Sequence, residues 1–420
     1  MKTYRRVLSV ILAVLMLFGI FGFTSFAKGE KNELKFDENG NFRIMHISDT
    51  HYTDFPFEES IAFIEKVLDD YNPDLVIFGG DNIKGWFDTS MQLGVKAAID
   101  KLVAPVAERN IPFSFVYGNH DGEAYLCPKS MQTGFYGAYD TCIIPEGYSS
   151  ITGTGCGNIT VKDSSGEKDI FNIWLFDSGT KTKANGKTVI KGVPASQIKS
   201  YTDKSSKLKE ANGGSPLPAI AFQHFGIEKV TSLFDESENG YKCAGKSYVL
   251  KSGITDTVCE GVTGIENTRQ TLHLNKSCEI PDSDNGEYDA FVRQGDIFGL
   301  FFGHTHTNDF CGITEDNIIL GATPSAGGFN ISSRYEDENG VKTEARGVRV
   351  IDINEDALVS GTNHAEALST FSVYYKDYFT DSIEKYPEKY KKLDEHSFTE
   401  WIKIEFEYLI AYLKSVFKLV

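Results

Sequence analysis

Apolar and polar residues alternate, or run together, in a way that predicts strands separated by helices. Residues 42–48 alternate as a half-buried strand does, and residues 61–68 repeat apolar side chains at helical spacing. Short apolar runs at 75–78 and 113–117 predict buried strands on either side of a helical pattern at about 91–109. This β-α-β-α-β order predicts a parallel sheet flanked by helices.

Further buried strands are predicted in the rest of the chain, separated by two long segments of weak pattern. The predicted strands lie at residues 170–176, 219–222, 297–302, 318–320 and 348–353. The two segments, at about 130–166 and 228–288, are rich in Gly, Ser and Asp. Segments of this length without a clear pattern predict insertions or lids rather than core.

Residues 1–27 have the composition of an export signal. Three basic residues precede an uncharged apolar run at 7–23, and a small-x-small pattern ends at Ala27. We predict cleavage before Lys28, which would leave a secreted or extracytoplasmic chain with no membrane span. An uncleaved N-terminal membrane anchor is the alternative, because the apolar run is longer than a typical signal core.

Residues 361–420 differ from the middle of the chain. From about Asn363 the sequence loses Gly and gains Lys, Glu and Tyr. Apolar side chains between Phe406 and Val420 recur at helical spacing, which predicts a C-terminal amphipathic helix packed on the domain. Attachment of this helix to a membrane surface or a partner is the alternative. The main domain is therefore predicted to span residues 28–360.

Charge and cysteine content limit the partners and the kind of metal site. The 420 residues hold 59 Asp and Glu against 42 Lys and Arg, so the net charge is −17. A surface this acidic repels nucleic-acid backbones, so we expect no nucleic-acid binding, and an anionic substrate needs local attraction such as bound cations. None of the seven cysteines forms a C-x-x-C pair, which argues against a thiolate zinc site. Their odd number leaves at least one without an intramolecular partner, and disulfide connectivity stays open.

Five short motifs supply the side chains that a two-metal site needs. Each follows a predicted strand, and together they contain Asp49, His51, Asp81, Asn119, His120, Asp121, His224, His304 and His306. Two divalent cations need oxygen and imidazole ligands, one bridging carboxylate, and open positions for water and substrate. Side chains two residues apart on an extended segment share a face, so the D-x-H and H-x-H pairs can converge on one cluster. The set therefore predicts a binuclear metal site.

Through these motifs the sequence resembles the calcineurin-like metallophosphoesterases over residues 42–353. The resemblance implies an α/β (α+β) fold of four layers, in which helices flank a central β-sandwich. It implies one divalent ion held by Asp49, His51, Asp81 and His306, and a second held by Asp81, Asn119, His224 and His304. A hydroxide shared by the two ions would be the nucleophile. His120 would bind the phosphate and protonate or stabilise it, and Asp121 would hold the His120 ring.

Two segments indicate a branch of that family. Residues 304–312 and 192–197 look like the branch related to the purple acid phosphatases of plants and fungi. True purple acid phosphatases place an iron-binding tyrosine three residues after the bridging aspartate, where this sequence has Lys84. We therefore expect no coloured tyrosinate-iron site. The identity of the ions stays open among manganese, iron, zinc and similar metals.

These features predict an exported hydrolase that acts on a small phosphomonoester or phosphodiester. A nucleotide or nucleotide-sugar pyrophosphatase is an alternative, because it uses the same metal core and differs only in its substrate pocket. The second alternative is a non-catalytic cell-surface binding protein with a structural metal site. Such a site needs neither open coordination nor His120, which favours the enzyme. The sequence does not indicate an oligomeric state.

Other polar residues near the motifs have simpler interpretations. His46 is expected to be a hydrogen-bonded histidine of the core, and Asp177 to belong to an ordinary turn. The histidines outside the patterned regions, His273, His364 and His396, are expected to be solvated. Three arginines are candidates for binding a substrate phosphate, with no choice among them: Arg334, Arg346 and Arg349.

Overall fold

The structure is a computed structural model that describes residues 33–379 except 54–57, 86–91, 125, 146–152, 185, 244–245, 251–280, 282–283, 328–333, 337–341, 345 and 362. Its helices are α1 (Glu58–Tyr71), α2 (Gln92–Glu108), α3 (Lys129–Tyr136), α4 (Ala195–Ala211), α5 (Glu287–Gln294) and α6 (Glu355–Ser360). Short 3₁₀ helices lie at Asp121–Glu123, Glu228–Leu233, His364–Ala367 and Tyr375–Asp377.

The strands of the first half are β1 (Leu34–Lys35), β2 (Asn41–Ile47), β3 (Leu75–Gly79), β4 (Phe113–Val116), β5 (Gly157–Lys162), β6 (Asp169–Leu175), β7 (Lys181–Ala184) and β8 (Lys187–Ile190). Those of the second half are β9 (Ala219–Phe222), β10 (Phe234–Cys243), β11 (Lys246–Leu250), β12 (Ile297–Phe302), β13 (Phe310–Ile313), β14 (Ile319–Ala322), β15 (Arg334–Glu336), β16 (Lys342–Glu344), β17 (Gly347–Asn354) and β18 (Leu368–Tyr374).

Two large sheets organise these strands. One has seven strands in the order β1-β5-β6-β9-β12-β14-β13, and the other has five in the order β18-β17-β2-β3-β4. Apolar side chains of the two sheets, such as Ile44 and Ile77 on one and Ile173 and Phe222 on the other, belong to one buried cluster. The sheets therefore pack face to face, and the predicted sandwich is confirmed.

Helices cover the outer face of the five-stranded sheet. Successive strand residues point to opposite faces, so Val76 and Phe78 of β3 join a second cluster that includes α1 and α2. Helix α1 forms because Phe63, Ile64 and Val67 recur on one face, and all three are buried. It ends before Asn72, which has a φ of 41°, and the following residue is Pro73.

The strand directions bring the motifs to one edge of the sandwich. Strands β2, β3 and β4 are parallel, and their ends are aligned because Ile47 pairs with Phe78 and Gly79 with Val116. In the other sheet β9 and β12 are also parallel, with Phe222 opposite Phe301. Each of these strands is followed by one motif, so the five motifs meet at the carboxyl edge.

Two segments differ from what the sequence patterns suggested, and a third, residues 228–288, contains a hairpin outside both large sheets. The stretch 130–166, expected to be an insertion or lid, contains strand β5 of the large sheet, whose alternating Ile159 and Val161 are buried. The stretch 228–288 contributes the β10–β11 hairpin. Strand β18 lies beyond residue 360, where the sequence placed the end of the domain, yet it pairs along β17 from Leu368 to Tyr374. Gly and Ser residues on both sides of β5 obscured its short period-two pattern.

Both chain ends lie outside the described residues, and with them the predicted signal at 1–27 and the predicted amphipathic helix. Within the part of the chain that the structure describes, no helix combines the length and the apolar character needed to cross a membrane.

Candidate metal centre

Side chains from four of the five motifs converge into two overlapping groups of metal-ligand type. One group contains Asp49, His51, Asp81 and His306, and the other contains Asp81, His224 and His304; within each group the ligand atoms lie within 4.8 Å of one another. The Nε2 atoms of His51 and His306 are 3.0 Å apart, and His224 Nε2 lies 3.2 Å from Asp81 Oδ2. Asp81 is the residue that the two groups share.

Each carboxylate of the centre has one oxygen held by the protein and one turned to the cluster. Asp49 Oδ2 accepts hydrogen bonds from Ser48 Oγ at 2.6 Å and from the His304 backbone N–H at 2.9 Å. Asp81 Oδ1 accepts from the His120 backbone N–H at 2.7 Å. Their other oxygens, Asp49 Oδ1 and Asp81 Oδ2, are buried and make no well-aligned hydrogen bond with the described residues. Only imidazole nitrogens lie beside them, His306 Nε2 at 3.4 Å and His224 Nε2 at 3.2 Å.

These unsatisfied oxygens fit a pair of divalent ions. Asn119 Oδ1 is a third buried acceptor without a hydrogen-bond donor among the described residues. A buried unsatisfied acceptor costs about 1–3 kcal/mol, so the two carboxylate oxygens in the cluster favour a compensating ligand. Imidazole and carboxylate ligands lie about 2.0–2.2 Å from a zinc-sized ion, which puts neighbouring ligand atoms about 3 Å apart. The observed separation of 3.4 Å between His306 Nε2 and Asp49 Oδ1 is close to that value.

The imidazoles are oriented before any ion binds. His224 is fully buried, and its Nδ1 lies 3.1 Å from the Gly79 carbonyl oxygen, so Nδ1–H can donate and Nε2 faces the cluster. His304 Nδ1 lies 3.2 Å from His224 Nε2. A hydrogen bond from the outer ring nitrogen to a carbonyl is the usual support for a metal-binding histidine.

Backbone strain is concentrated at this centre. Positive φ angles occur at Asp49 (54°), His51 (46°), Asp81 (49°) and His304 (69°). Apart from glycine, the other described residues with positive φ are all asparagines, which tolerate this conformation. Each strained residue costs on the order of 1–3 kcal/mol, and such strain marks functional sites more often than ordinary turns.

Two of the motif glycines lie so close to the Asp81 and Asp49 carboxylates that they leave no room for a side chain. A Cβ added at Gly118 would lie 2.2 Å from Asp81 Oδ1, and one added at Gly303 would lie 2.3 Å from Asp49 Oδ2. Only glycine therefore lets the strand ends come this close to the two carboxylates.

The charges suit cation binding. Burial opposes ionisation of Asp81, but the adjacent His224 and His51 hold the pKa of its carboxyl well below the usual value. Burial, reinforced by nearby His306, lowers the pKa of His51 to about 3. Burial also acts against protonation of His224, yet Asp81 and Asp49 raise its pKa to about 9. Metal binding at neutral pH would therefore release a proton from His224.

Asp121 does not hold the His120 ring, so that implication of the resemblance is wrong. Its carboxylate is buried and accepts hydrogen bonds from the backbone N–H groups of Asn82 at 3.1 Å, Ile83 at 3.1 Å and Gly118 at 2.7 Å. Because these donors flank Asp81 and Asn119 in sequence, Asp121 fixes the loops that carry the ligands.

The His120 ring contacts Glu123 instead. His120 Nδ1 lies 2.7 Å from Glu123 Oε2, and His120 Nε2 lies 4.0 Å from Asp81 Oδ2. The sequence pattern did not single out Glu123. The signal available was its position three residues after His120, which brings the two side chains together only if residues 121–123 form a tight turn.

The remaining candidates belong to neither ligand group. His46 is buried with Nδ1 2.7 Å from Thr323 Oγ1, so the predicted core histidine is confirmed. His364 is half-buried against the Phe298 ring rather than fully solvated. Asp177 is more than a turn residue, since it accepts from Lys129 Nζ at 3.0 Å and is nearly buried.

Two of the three candidate arginines, Arg346 and Arg349, have other partners in the structure. Arg346 is buried and stacks on the Tyr375 ring at 4.0 Å, and Arg349 is buried and donates to Asp309. Arg334 begins strand β15. The predicted contact of an arginine with substrate phosphate therefore gains no support from Arg346 or Arg349. His273 and His396 lie outside the described residues.

Several known proteins similar to this chain carry phosphatase names. It is 25% identical over 345 residues to a probable inactive purple acid phosphatase 14 of Arabidopsis thaliana, covering 74% of this chain and 77% of the relative. It is 36% identical over 104 residues to phosphatase DCR2 of Saccharomyces cerevisiae, covering 21% of this chain and 18% of the relative. A solved dimetal phosphatase from Danio rerio aligns with 9% identity and a TM-score of 0.46, covering 80% of this chain and 99% of the other.

The calcineurin-like phosphoesterase family model matches residues 42–308, a range that contains every motif of the metal centre. This chain therefore belongs to the calcineurin-like phosphoesterase family.

Proposed function

We propose that this protein is an exported two-metal phosphoesterase that hydrolyses small phosphomonoesters or phosphodiesters. The observation that carries the proposal is the pair of ligand groups sharing Asp81, with buried oxygens turned to the cluster and a partly exposed histidine beside it. A structural metal site would have no use for that histidine.

Divalent ions held by these residues would supply a hydroxide near neutral pH and offset charge on the phosphoryl oxygens. The protein holds the ions through the anionic Asp49 and Asp81 and orients His224 through the Gly79 carbonyl. His120 remains available to the substrate, since its side chain is 34% exposed and its Nε2 points towards the cluster. A hydrogen bond or proton from Nε2 to the phosphate or leaving oxygen would contribute about 10²–10⁴-fold in rate.

Several relatives are named as probable inactive phosphatases, so their names do not support activity, and this chain's own residues carry the proposal. All the metal ligands that the family resemblance implies are present in this sequence, and so is His120. The side chains also converge with the separations that coordination requires. These features support an active centre.

Phosphate release from defined substrates tests the proposal. The purified protein, loaded in turn with Mn²⁺, Fe²⁺, Zn²⁺ or Mg²⁺, would be assayed with 4-nitrophenyl phosphate, bis(4-nitrophenyl) phosphate and a nucleoside diphosphate sugar. We expect turnover of at least one ester by the wild type and its loss in Asp81→Asn. Asp169→Asn, at an exposed position at the opposite end of β6, is the matched control and should keep full activity.

Each outcome of this panel decides between functions. Turnover restricted to the diphosphate sugar would favour the pyrophosphatase. Full metal occupancy with no turnover of any ester would contradict the proposal and favour a binding protein. Export has its own readout, because N-terminal sequencing of protein from the culture medium should begin at Lys28. Recovery of the intact Met1 terminus in the membrane fraction would indicate an anchor instead.

A further inference from the structure

One carboxylate beside the metal centre has no role as a metal ligand. Glu123 Oε2 lies 2.7 Å from His120 Nδ1, and both side chains are 34% exposed. The opposite nitrogen of the ring, Nε2, lies 4.0 Å from Asp81 Oδ2, which is too long for a hydrogen bond. The ring is thus held from the Glu123 side, while Nε2 is directed to the cluster.

The backbone around the pair is fixed independently of the ring. The Glu123 backbone N–H donates to the His120 carbonyl oxygen at 2.9 Å, which closes the turn. The loop after Asp81 packs directly on this turn, since a Cβ added at Gly85 would lie 2.3 Å from the His120 carbonyl oxygen and 3.1 Å from Glu123 Cβ. The Asp121 carboxylate anchors the same turn, because it accepts hydrogen bonds from the backbone N–H groups of Asn82 and Gly118. The fold of this turn therefore places Glu123 beside the His120 ring.

We propose that Glu123 is a positioning residue, which accepts the Nδ1–H of His120 and keeps Nε2 turned towards the reacting phosphate. This inference rests on the proposed function. Without an acceptor at Nδ1, the half-exposed ring can turn and place a carbon atom where Nε2 is needed. A hydrogen bond at one imidazole nitrogen is the common means of fixing the orientation and tautomer of the other.

Leaving-group dependence tests the role in catalysis. His120→Ala should lower kcat for an alkyl phosphate by about 10²-fold or more, and much less for 4-nitrophenyl phosphate, whose leaving oxygen needs little protonation. Glu123→Ala should show the same selective loss, at about tenfold or more with the alkyl ester. Glu123→Gln keeps an oxygen that accepts Nδ1–H and should retain most activity. Glu38→Ala, an exposed glutamate before β2 at the opposite edge, is the matched control.

The double variant separates positioning from a general structural effect. If Glu123 acts only through His120, His120→Ala with Glu123→Ala should be no slower than His120→Ala alone, within about twofold. A loss equal to the product of the two single losses would overturn the inference. Metal content should equal that of the wild type in every variant, and a lower content in Glu123→Ala would also overturn it, because Glu123 would then support the ligands.

A spectroscopic measurement tests the contact without relying on turnover. In ¹⁵N-histidine-labelled protein loaded with Zn²⁺, the His120 Nδ1 proton should give a protected downfield resonance, assigned by its loss in His120→Ala. Glu123→Ala should lose this resonance, and Glu123→Gln should keep it. Its absence from the wild type, or its persistence in Glu123→Ala, would refute the contact. Should the wild type hydrolyse no ester, the proposed function fails, and this spectrum still decides the inference about Glu123.

Discussion

At the scale of single residues, the centre combines strain with unsatisfied polar atoms. Asp49 and Asp81 adopt positive φ, and each keeps one buried oxygen without a hydrogen bond from the described chain. Both features reduce the stability of the metal-free protein. The neighbouring glycines permit this geometry because their missing side chains leave room for the carboxylates.

A methyl group at Gly118 should damage the centre. The new Cβ would meet Asp81 Oδ1 at 2.2 Å, so Gly118→Ala should displace the carboxylate shared by both ligand groups. We expect weaker metal binding and a free energy of unfolding lower by about 1–3 kcal/mol, measured by metal analysis and urea titration. In α3, a Cβ added at Gly134 would meet no atom of the described residues within 4 Å, so Gly134→Ala should be neutral or stabilising. Equal behaviour of the two variants would contradict the close approach.

The sequence revealed the ligand types but not every role. Asp49 and His51, like His304 and His306, are close in sequence, so their pairing is visible in a short pattern. The partner of His120 depends on the turn at Asp121–Glu123 and on the backbone N–H groups that donate to the Asp121 carboxylate. The contacts of Asp121 with Asn82 and Ile83 join residues distant in sequence, which explains why the resemblance misassigned Asp121. Glu123 was missed because its contact with His120 depends on the local turn.

At the scale of elements, the loop after β12 is tied to the C-terminal strands. Arg349 of β17 donates to the carboxylate of Asp309, which follows the His304 and His306 motif, and Ser372 Oγ donates to the same carboxylate at 2.9 Å. Tyr374 of β18 donates to its other oxygen. Strand β18 therefore supports the metal centre, although the sequence placed the end of the domain before it.

Loss of the Arg349 side chain should destabilise this region strongly. Arg349→Met leaves the Asp309 carboxylate buried without its cation, which should lower the free energy of unfolding by about 3–5 kcal/mol in urea titration. The exposed pair Lys199–Asp203 is a matched control, and Lys199→Met should change that free energy by less than about 0.5 kcal/mol. A loss of similar size in both variants would argue against a special role for the buried pair.

Glu287, the first residue of α5, should give stability a distinct pH dependence. Burial raises the pKa of this carboxyl to about 7. The unfolded chain releases this proton at lower pH, so the contribution of Glu287 to stability is full below about pH 4.5 and is lost as the pH rises to about 7. The difference in free energy of unfolding between Glu287→Gln and wild type should shift by roughly 3 kcal/mol in favour of the variant across this window.

Urea titrations at several pH values measure this difference. Glu210→Gln, at an exposed position near the end of α4, is the control and should follow the wild-type profile. A constant difference between Glu287→Gln and wild type from pH 4 to pH 8 would contradict the prediction.

At the scale of the whole molecule, the centre joins the two sheets. Asp49, Asp81 and Asn119 follow strands of the five-stranded sheet, whereas His224 and His304 follow strands of the seven-stranded sheet. Ions bound here would cross-link the sandwich and stabilise it, with a free energy that rises with the logarithm of their affinity. The order of strands and helices could be predicted, because each element shows its apolar pattern within a short stretch of sequence. The sheet order could not be predicted, because pairs such as β1 with β5 and β2 with β17 join strands that are distant in sequence.

Metal removal should therefore lower the melting temperature. Chelation would eliminate the ligand contribution and leave the buried oxygens of Asp49 and Asp81 without a bound cation. We expect a Tm lower by several degrees in the chelated wild type, restored by added Zn²⁺ or Mn²⁺, in differential scanning calorimetry. Asp81→Asn should show a much smaller response to added metal. An unchanged Tm on complete metal removal would contradict the cross-linking role.

The most direct test of a two-metal phosphoesterase is to titrate the chelated wild type with Mn²⁺ or Zn²⁺ while phosphate release from 4-nitrophenyl phosphate is measured. We predict no turnover in the metal-free protein and a rise that reaches its maximum at about two ions per chain. Full turnover without metal, or none at complete occupancy, would contradict the account.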